Sequence, residues 1–535
     1  MTQTTCGTQL AQLLEAYGTR HVFGIPGVHN VELYRGLGQT GIRHVSPRHE
    51  QGAGFMADGY ARSTGKPGVA FVITGPGLTN IATAIGQAYA DSVPMLVIAS
   101  VNKRHQLGFG RGYLHEMPNQ RNLAAGLTAF SHTLLRAKEL PDVLAAAFAV
   151  FSSGRPRPVC IEIPIDVLEE KFEAGDQLPK TRHLPPPGPH FGAVAAAAKL
   201  LHGARRVMII AGGGAANAQV GVLRLAETLG AVVQLTINAR GLLPPDHPQL
   251  GDFGIGKDEG RKVMDEADVV LAIGSEIGET DYDYDSTGRF TVASKFIRID
   301  IDPRQIAIGP RFEHAIVGDA SESCNALAGV IDNETRDIAW AREAATRLSA
   351  VAATAREPED PLYDKLFATI RESSINPTIF GDSTKSVYRA GLTYRAPRTR
   401  SFFSAATGFG TLGYALPAAI GAKIAYPDRP VIAVAGDGGA QFTLPELMSA
   451  REAAAGIVLL IWNNHGYREI RDYMVSKEIS PIAVDPPPPD FAKTAEAAGV
   501  PYQRIDGFDQ LAAALREHGP SAKLPLLLEA GPWIA

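Results

Sequence analysis

Short unbroken apolar runs alternate with longer amphipathic stretches along most of the chain. Residues 10–17 read as a helix with one apolar face, 21–25 as a strand ending at Pro26-Gly27, and 42–45 as another strand. Glu50 opens the next helix. Residues 69–74 form a strand that runs into Gly75-Pro76-Gly77, followed by a helix over 78–90 and a strand over 95–100. Runs at 207–211, 232–236, 269–273 and 296–301 repeat the pattern in the middle of the chain, and runs at 378–381, 431–435, 457–462 and 525–529 repeat it in the last third. Apolar runs this short, ending in Gly, Asn or Pro, read as strands buried on both faces. Their alternation with helices predicts parallel, doubly wound sheets. The pattern is interrupted by a polar, then Pro-rich stretch at 171–189 and by an Ala-rich helical connection at 339–357. The expectation is an α/β chain of three doubly wound parallel-sheet domains, 1–170, 191–335 and 361–535, joined by linkers at 171–190 and 336–360.

Composition narrows the function classes. At 535 residues the chain exceeds one ordinary core. Lys+Arg 51 against Asp+Glu 56 leaves a charge of −5, which gives no basic surface for nucleic acid or an anionic membrane. No apolar run approaches the ~20 residues that span a bilayer, and Met1 to Thr5 lack the basic-then-apolar order of a signal peptide. Cys6, Cys160 and Cys324 are far apart and have no metal-ligand spacing, as expected of a reducing cytoplasm. Gly212-Gly213-Gly214 follows a strand without matching the dinucleotide fingerprint.

Two polar groups end neighbouring strands of the last third. Gly436-Asp437-Gly438 follows 431–435, and Asn463-Asn464 follows 457–462; residues 439–462, 24 of them, lie between. The carboxyl ends of parallel strands are where open α/β sheets bind ligands. Asp437 and the Asn464 amide offer hard oxygens suited to Mg²⁺. Gly438 and Gly439 let the backbone approach a diphosphate. A lone Gly-Asp-Gly is usually a turn; the pair and its spacing are the signal. In the first third, Glu50 sits in Arg48-His49-Glu50-Gln51-Gly52-Ala53-Gly54-Phe55-Met56 among small and apolar neighbours. Such surroundings disfavour a charged carboxylate and let it share a proton with a ring nitrogen. The plainer reading is a helix-start glutamate complementing the dipole.

Taken together, these motifs resemble the thiamine-diphosphate (ThDP) acetolactate synthase and 2-oxo acid decarboxylase family. The Glu50 stretch and Thr74-Gly75-Pro76-Gly77-Leu78-Thr79-Asn80 are similar to its pyrimidine-binding domain, Asp246-His247-Pro248 and Ile299-Asp300-Ile301-Asp302-Pro303 to its central domain, and the Asp437 and Asn464 groups to its diphosphate-binding domain. The resemblance implies ThDP with Mg²⁺ held by Asp437, Asn464 and the Gly466 carbonyl. It places cofactor contacts at Gly27, Pro76, Asn80, Gly436, Gly438, Gly439, Asn463 and His465, and diphosphate contacts at Lys385 and Ser386. It assigns Glu50 to the aminopyrimidine ring nitrogen. Thr407-Gly408-Phe409-Gly410-Thr411-Leu412-Gly413 matches the segment that bends the cofactor, with Leu412 as the wedge and the Gly410 carbonyl accepting from the amino group. The cofactor is the electron sink for loss of CO₂ from a 2-oxo acid. Family sites are completed between subunits, so a homodimer or homotetramer is implied.

Departures from the family pattern bear on the reaction. Pyruvate decarboxylases carry an aspartate where this chain has Val28, whereas Val28-His29 is similar to benzaldehyde lyase. His115 falls on a loop where relatives place Gln or His near substrate, and a histidine can shuttle protons near neutral pH. His29 and His115 therefore join Glu50 as catalytic candidates. Glu469 is one residue out of register with the decarboxylase glutamate. After 269–273, five acids (Glu276, Glu279, Asp281, Asp283 and Asp285) replace the arginines of FAD-binding synthases, so no FAD is expected. Asp281 and Asp283, beside Tyr282 and Tyr284, are candidates to pair with a guanidinium on the substrate. The expected activity is decarboxylation of a 2-oxo acid. Acetolactate synthesis or benzaldehyde-lyase-like carboligation is the alternative, and retention of Glu50, Asp437 and Asn464 argues against a purely structural subunit.

Overall fold

The computed structural model describes residues 4–171, 181–252, 258–278, 280, 292–331, 336–354 and 356–534. Three parallel six-stranded sheets with attendant helices make up the α/β architecture. The first has β1 (His21–Gly24), β2 (Arg43–Val45), β3 (Gly68–Val72), β4 (Met95–Val101), β5 (Phe130–Thr133) and β6 (Val159–Pro164), in the order β2-β1-β3-β4-β6-β5. The second has β7 (Val207–Ala211), β8 (Val232–Leu235), β9 (Leu250–Gly251), β10 (Val269–Ile273), β11 (Lys295–Asp300) and β12 (His314–Val317), in the order β12-β11-β10-β7-β8-β9. The third has β13 (Thr378–Gly381), β14 (Phe402–Ser404), β15 (Val431–Gly436), β16 (Val458–Trp462), β17 (Tyr502–Arg504) and β18 (Leu526–Ala530). Here β13 pairs with β14, β15 with β16 and β17 with β18.

The unbroken apolar runs have a direct structural cause. On β7, Val207, Ile209 and Ala211 enter one core, while Met208 and Ile210 enter another on the opposite face. A strand covered on both sides has no solvent face and so shows no polar alternation.

Packing divides the chain into two compact units. One comprises 1–185, 409–504 and 520–529; the other comprises 186–408, 505–519 and 530–535. Within the first unit the helix Glu50–Thr64 crosses the helix Ala415–Ala425 at glycines. A Cβ on Gly59 would overlap the Ala418 carbonyl, and one on Gly421 would overlap that of Met56. Only glycine permits this backbone approach. Among the described residues no helix is long and apolar enough to cross a membrane.

Candidate active site

The first sheet reverses its strand order between β1 and β3, and the carboxyl ends of strands at such a switch point are where open α/β sheets bind ligands. After β1, the fully buried Asn30 ties the turn: its Oδ1 accepts from Gly27 N at 2.7 Å and its Nδ2 donates to the Ile25 carbonyl at 3.1 Å. This fixes His29. After β3, Gly75 has φ +66°, and a Cβ there would lie 2.5 Å from the His115 carbonyl oxygen. Gln120 Oε1 accepts from Gly75 N at 2.8 Å, while Gln120 Nε2 donates to Ser100 O and to the buried Glu162. Asn102 Nδ2 donates to Leu114 O at 3.0 Å, and Glu116 gathers the backbone N–H groups of Gly110, Gly112 and Tyr113. The rings of His29 and His115 consequently meet edge to face, with centroids 5.2 Å apart. Among the described residues neither buried Nδ1 has a hydrogen-bond partner. Burial, and then the neighbouring His115, hold the His29 imidazole below its ordinary value.

Glu50 is the first residue of its helix and half-buried. Asn80 Nδ2 donates to its Oε2 at 2.9 Å, so the pairing of these two candidates is direct. The peptide leading into Glu50 is held by a residue that sequence reasoning passed over. Glu446 is 1% exposed, and its carboxylate accepts from Arg48 N at 3.0 Å and from His49 N at 3.1 Å. Burial pushes this carboxyl up, while these hydrogen bonds oppose the shift. The signal available in the sequence was a single acid in an otherwise apolar helix start, nine positions after Asp437.

At the ends of β15 and β16, Asp437 is fully buried. Its Oδ1 accepts from Asn464 N at 3.2 Å and its Oδ2 from Gly466 N at 2.9 Å. The Asn464 side-chain oxygen lies 3.1 Å from Asp437 Oδ1 and 3.1 Å from the Gly466 carbonyl oxygen. Three oxygens thus converge with no proton between them. A divalent cation fits this arrangement, because oxygens in adjacent octahedral positions about 2.1 Å from Mg²⁺ sit about 3 Å apart. Turning the amide over would instead let nitrogen donate to both neighbours. This set has one carboxylate, one amide and one carbonyl; among the described residues no group of three or more His, Cys, Asp or Glu is arranged to hold a metal ion. Asn463 is oriented from behind: its Nδ2 donates to Glu529 at 2.7 Å and its Oδ1 accepts from His465 N at 3.2 Å. Gly436, Gly438, Gly439 and His465 surround this corner by sequence.

Pro76 is the first residue of the helix Pro76–Ala90, beside Gly75. Gly410 is exposed with φ +73°, and Leu412 is half-buried. In the other unit, Lys385 opens the helix Lys385–Thr393 and is ion-paired with Glu357 at 2.8 Å, so it is already engaged. Ser386 Oγ is buried with no partner among the described residues. Asp281 and Asp283 lie outside the described residues.

Comparison with known proteins finds relatives along nearly the whole chain. Residues 4–123 match the model described as thiamine pyrophosphate enzyme, N-terminal TPP binding domain; residues 194–327 match its central domain; residues 381–530 match its C-terminal TPP binding domain. The "Probable 2-ketoarginine decarboxylase AruI" of Pseudomonas aeruginosa is 45% identical over 518 residues, covering 96% of this chain and 91% of the relative. The acetolactate synthase isozyme 1 large subunit of Escherichia coli is 32% identical, covering 85% of this chain and 81% of the relative. A "Probable acetolactate synthase large subunit" of Methanocaldococcus jannaschii is also 32% identical, covering 95% and 88%.

Proposed function

The chain belongs to the thiamine pyrophosphate enzyme family, and from that premise we propose that it is a ThDP- and Mg²⁺-dependent decarboxylase converting 5-guanidino-2-oxopentanoate (2-ketoarginine) to 4-guanidinobutanal and CO₂. The observation that carries this reading is the 45% identity to the "Probable 2-ketoarginine decarboxylase AruI", which runs through 96% of the chain rather than through one domain. The division into 1–170, 191–335 and 361–535 is part of the same proposal, supported by the three successive family matches.

When bound, ThDP supplies the nucleophilic carbon and the electron sink for decarboxylation. Glu50 holds the proton shared with the aminopyrimidine nitrogen, and Asn80 fixes its carboxylate. Asp437, Asn464 and the Gly466 carbonyl would hold Mg²⁺. Gly436, Gly438, Gly439, Asn463 and His465 would line the diphosphate, and Lys385 and Ser386 are diphosphate candidates on the family pattern alone. Gly27 and Pro76 would border the pyrimidine, and Gly410 and Leu412 would receive its amino group and ring. His29, whose imidazole burial holds below its ordinary value, would accept and return protons on the substrate side with His115 as its neighbour.

A homodimer or homotetramer with shared sites belongs to this reading. The helix Arg468–Ser476 follows Asn464 and has no buried residue, and its Ile470, Tyr473 and Val475 are exposed, as suits a subunit contact. A cytoplasmic location is supported by three free, buried thiols.

The test is a decarboxylation screen over a panel of 2-oxo acids with ThDP and Mg²⁺, following CO₂ and aldehyde. Equal, near-background rates on every acid would end the decarboxylase reading. A second reading is favoured by the acetolactate synthases at 32% identity over most of the chain. Acetolactate as the main product from pyruvate would establish that carboligase alternative.

A further inference from the structure

The helices Glu50–Thr64 and Pro76–Ala90 enclose an ionic cluster shut off from solvent. Arg62 stands between two carboxylates, with Nε 2.6 Å from Asp58 Oδ1 and Nη2 2.7 Å from Asp91 Oδ2; the three side chains are 4%, 0% and 4% exposed. Asp58 Oδ1 also accepts from the Tyr414 hydroxyl at 2.8 Å. Asp91 Oδ2 accepts from Gln87 Nε2 at 2.6 Å, and Gln87 Oε1 accepts from Thr411 Oγ1 at 2.9 Å and Thr411 N at 3.3 Å. The chain of contacts Thr411–Gln87–Asp91–Arg62–Asp58–Tyr414 therefore starts and finishes in one short segment.

Two more contacts pin the same segment. The Phe409 ring lies where a Cβ on Gly86 would have to go, and the Gly413 carbonyl accepts from Thr443 Oγ1 at 2.8 Å. Residues 409, 411, 413 and 414 are thus each anchored. The two left between the anchors are Gly410, exposed and with φ +73°, and Leu412.

A buried ion triad is a poor way to gain stability. Desolvating a guanidinium and two carboxylates is costly, and apolar packing of the same volume commonly stabilises as well. What such a network does provide is one defined arrangement, since any other leaves a buried charge unpaired. Here that arrangement is passed to the segment at both ends.

We propose that Asp58, Arg62, Asp91 and Gln87 are positioning residues that hold the Gly410 carbonyl and the Leu412 side chain in the geometry that receives the ring portion of ThDP. The inference rests on the ThDP reading of the site. It assigns these residues no contact with the diphosphate or its metal.

The experiment is calorimetry on the apo protein with Mg²⁺, titrating ThDP and, separately, inorganic pyrophosphate, for the wild type, Gln87→Met and Tyr414→Phe. Tyr414→Phe keeps the ring and removes one hydroxyl, so it decides the matter if Gln87→Met does not fold. The expected result is ThDP binding weakened about 10-fold, the scale of one hydrogen bond to a charged network, with pyrophosphate affinity within about two-fold of wild type. Unchanged ThDP affinity in the folded variants, or an equal loss for both ligands, would overturn the positioning role. A wild-type protein that takes up no ThDP would instead defeat the cofactor reading itself.

Discussion

The Glu446 carboxylate holds the peptide nitrogen of His49, the residue immediately before Glu50, at 3.1 Å. With Arg48 N at 3.0 Å it satisfies two successive backbone donors, so the approach to Glu50 is fixed from the chain segment that also carries Asp437. Glu446→Ala removes the carboxylate that accepts from two backbone N–H groups, those of Arg48 and His49. A hydrogen bond to a charged group contributes about 1.5–3 kcal/mol, and water can replace part of it at these exposed residues, so a loss of ~1–3 kcal/mol of stability is expected. Glu446→Gln retains one acceptor oxygen and should lose less. Chemical denaturation of the two variants checks the order; equal stabilities would mean that the carboxylate is not the clamp.

His29 gives a pH prediction. Its folded value lies below the ordinary imidazole value of 6.5, because of burial and then His115. A base with a depressed folded value contributes stability that is present above pH 6.5 and lost as pH falls through the folded value. If neutral His29 is the working form, the acid limb of kcat/KM lies below pH 6.5. His115→Phe removes the second cause, so the limb should move up toward 6.5. A pH–rate profile with no movement would separate the two rings functionally.

The legible parts of the fold were the strands covered on both faces. β7 and β10 coincide with the runs read from the sequence, because nothing polar interrupts them. The strands that the pattern did not indicate are mostly sheet edges: β5, β9, β12, β14 and β17. β5 is half-buried at all four positions, and β17 is exposed at two of three, so neither carries an apolar run. β6 is the interior exception, and there the buried Glu162 breaks the run. Site residues followed a similar rule. Asp437, Asn464 and Glu50 stand in motifs of fixed local spacing. Glu446, Gln120 and Glu529 act through partners 397, 45 and 66 positions away, and no local pattern announces them.

Metal dependence is the expectation if the oxygens of Asp437, Asn464 and Gly466 hold the ion. Chelation should abolish ThDP binding, and Mg²⁺ should restore it. Asp437→Ala should weaken ThDP by at least the ~10–100-fold seen when a mere outer-shell partner of a metal is lost. Calorimetry with Mg²⁺ present is the check, and unchanged affinity would show that the diphosphate is held without the ion.

Glu50→Gln preserves the size of the side chain and an oxygen able to accept from Asn80. It should leave ThDP binding largely intact and lower turnover ~10²-fold or more, the scale of a lost proton-transfer group. Near-wild-type turnover would remove Glu50 from the chemistry.

Substrate choice is the last expectation. A guanidino 2-oxo acid brings a planar cation that cannot shed its proton, so its pocket needs a carboxylate able to take two parallel N–H donors. Glu116, the acid next to His115, is committed to three backbone N–H groups and is a poor choice. Glu162, a few residues away in space through Gln120, already accepts from Thr133 and Gln120. The acids that the sequence offers instead are those of the central segment, Asp281 and Asp283, with Tyr282 and Tyr284 beside them in the chain. If they receive the guanidinium, kcat/KM for 5-guanidino-2-oxopentanoate should exceed that for 2-oxopentanoate by about 10- to 100-fold, from ~1.5–3 kcal/mol per charge-assisted hydrogen bond. The double substitution Asp281→Asn with Asp283→Asn should erase that ratio while sparing the neutral acid, which has no cation for them to pair with. Matched steady-state assays on wild type and variant decide it. A ratio that survives the substitution would place the cation elsewhere, and a wild-type ratio near one would mean that the charge is not read at all.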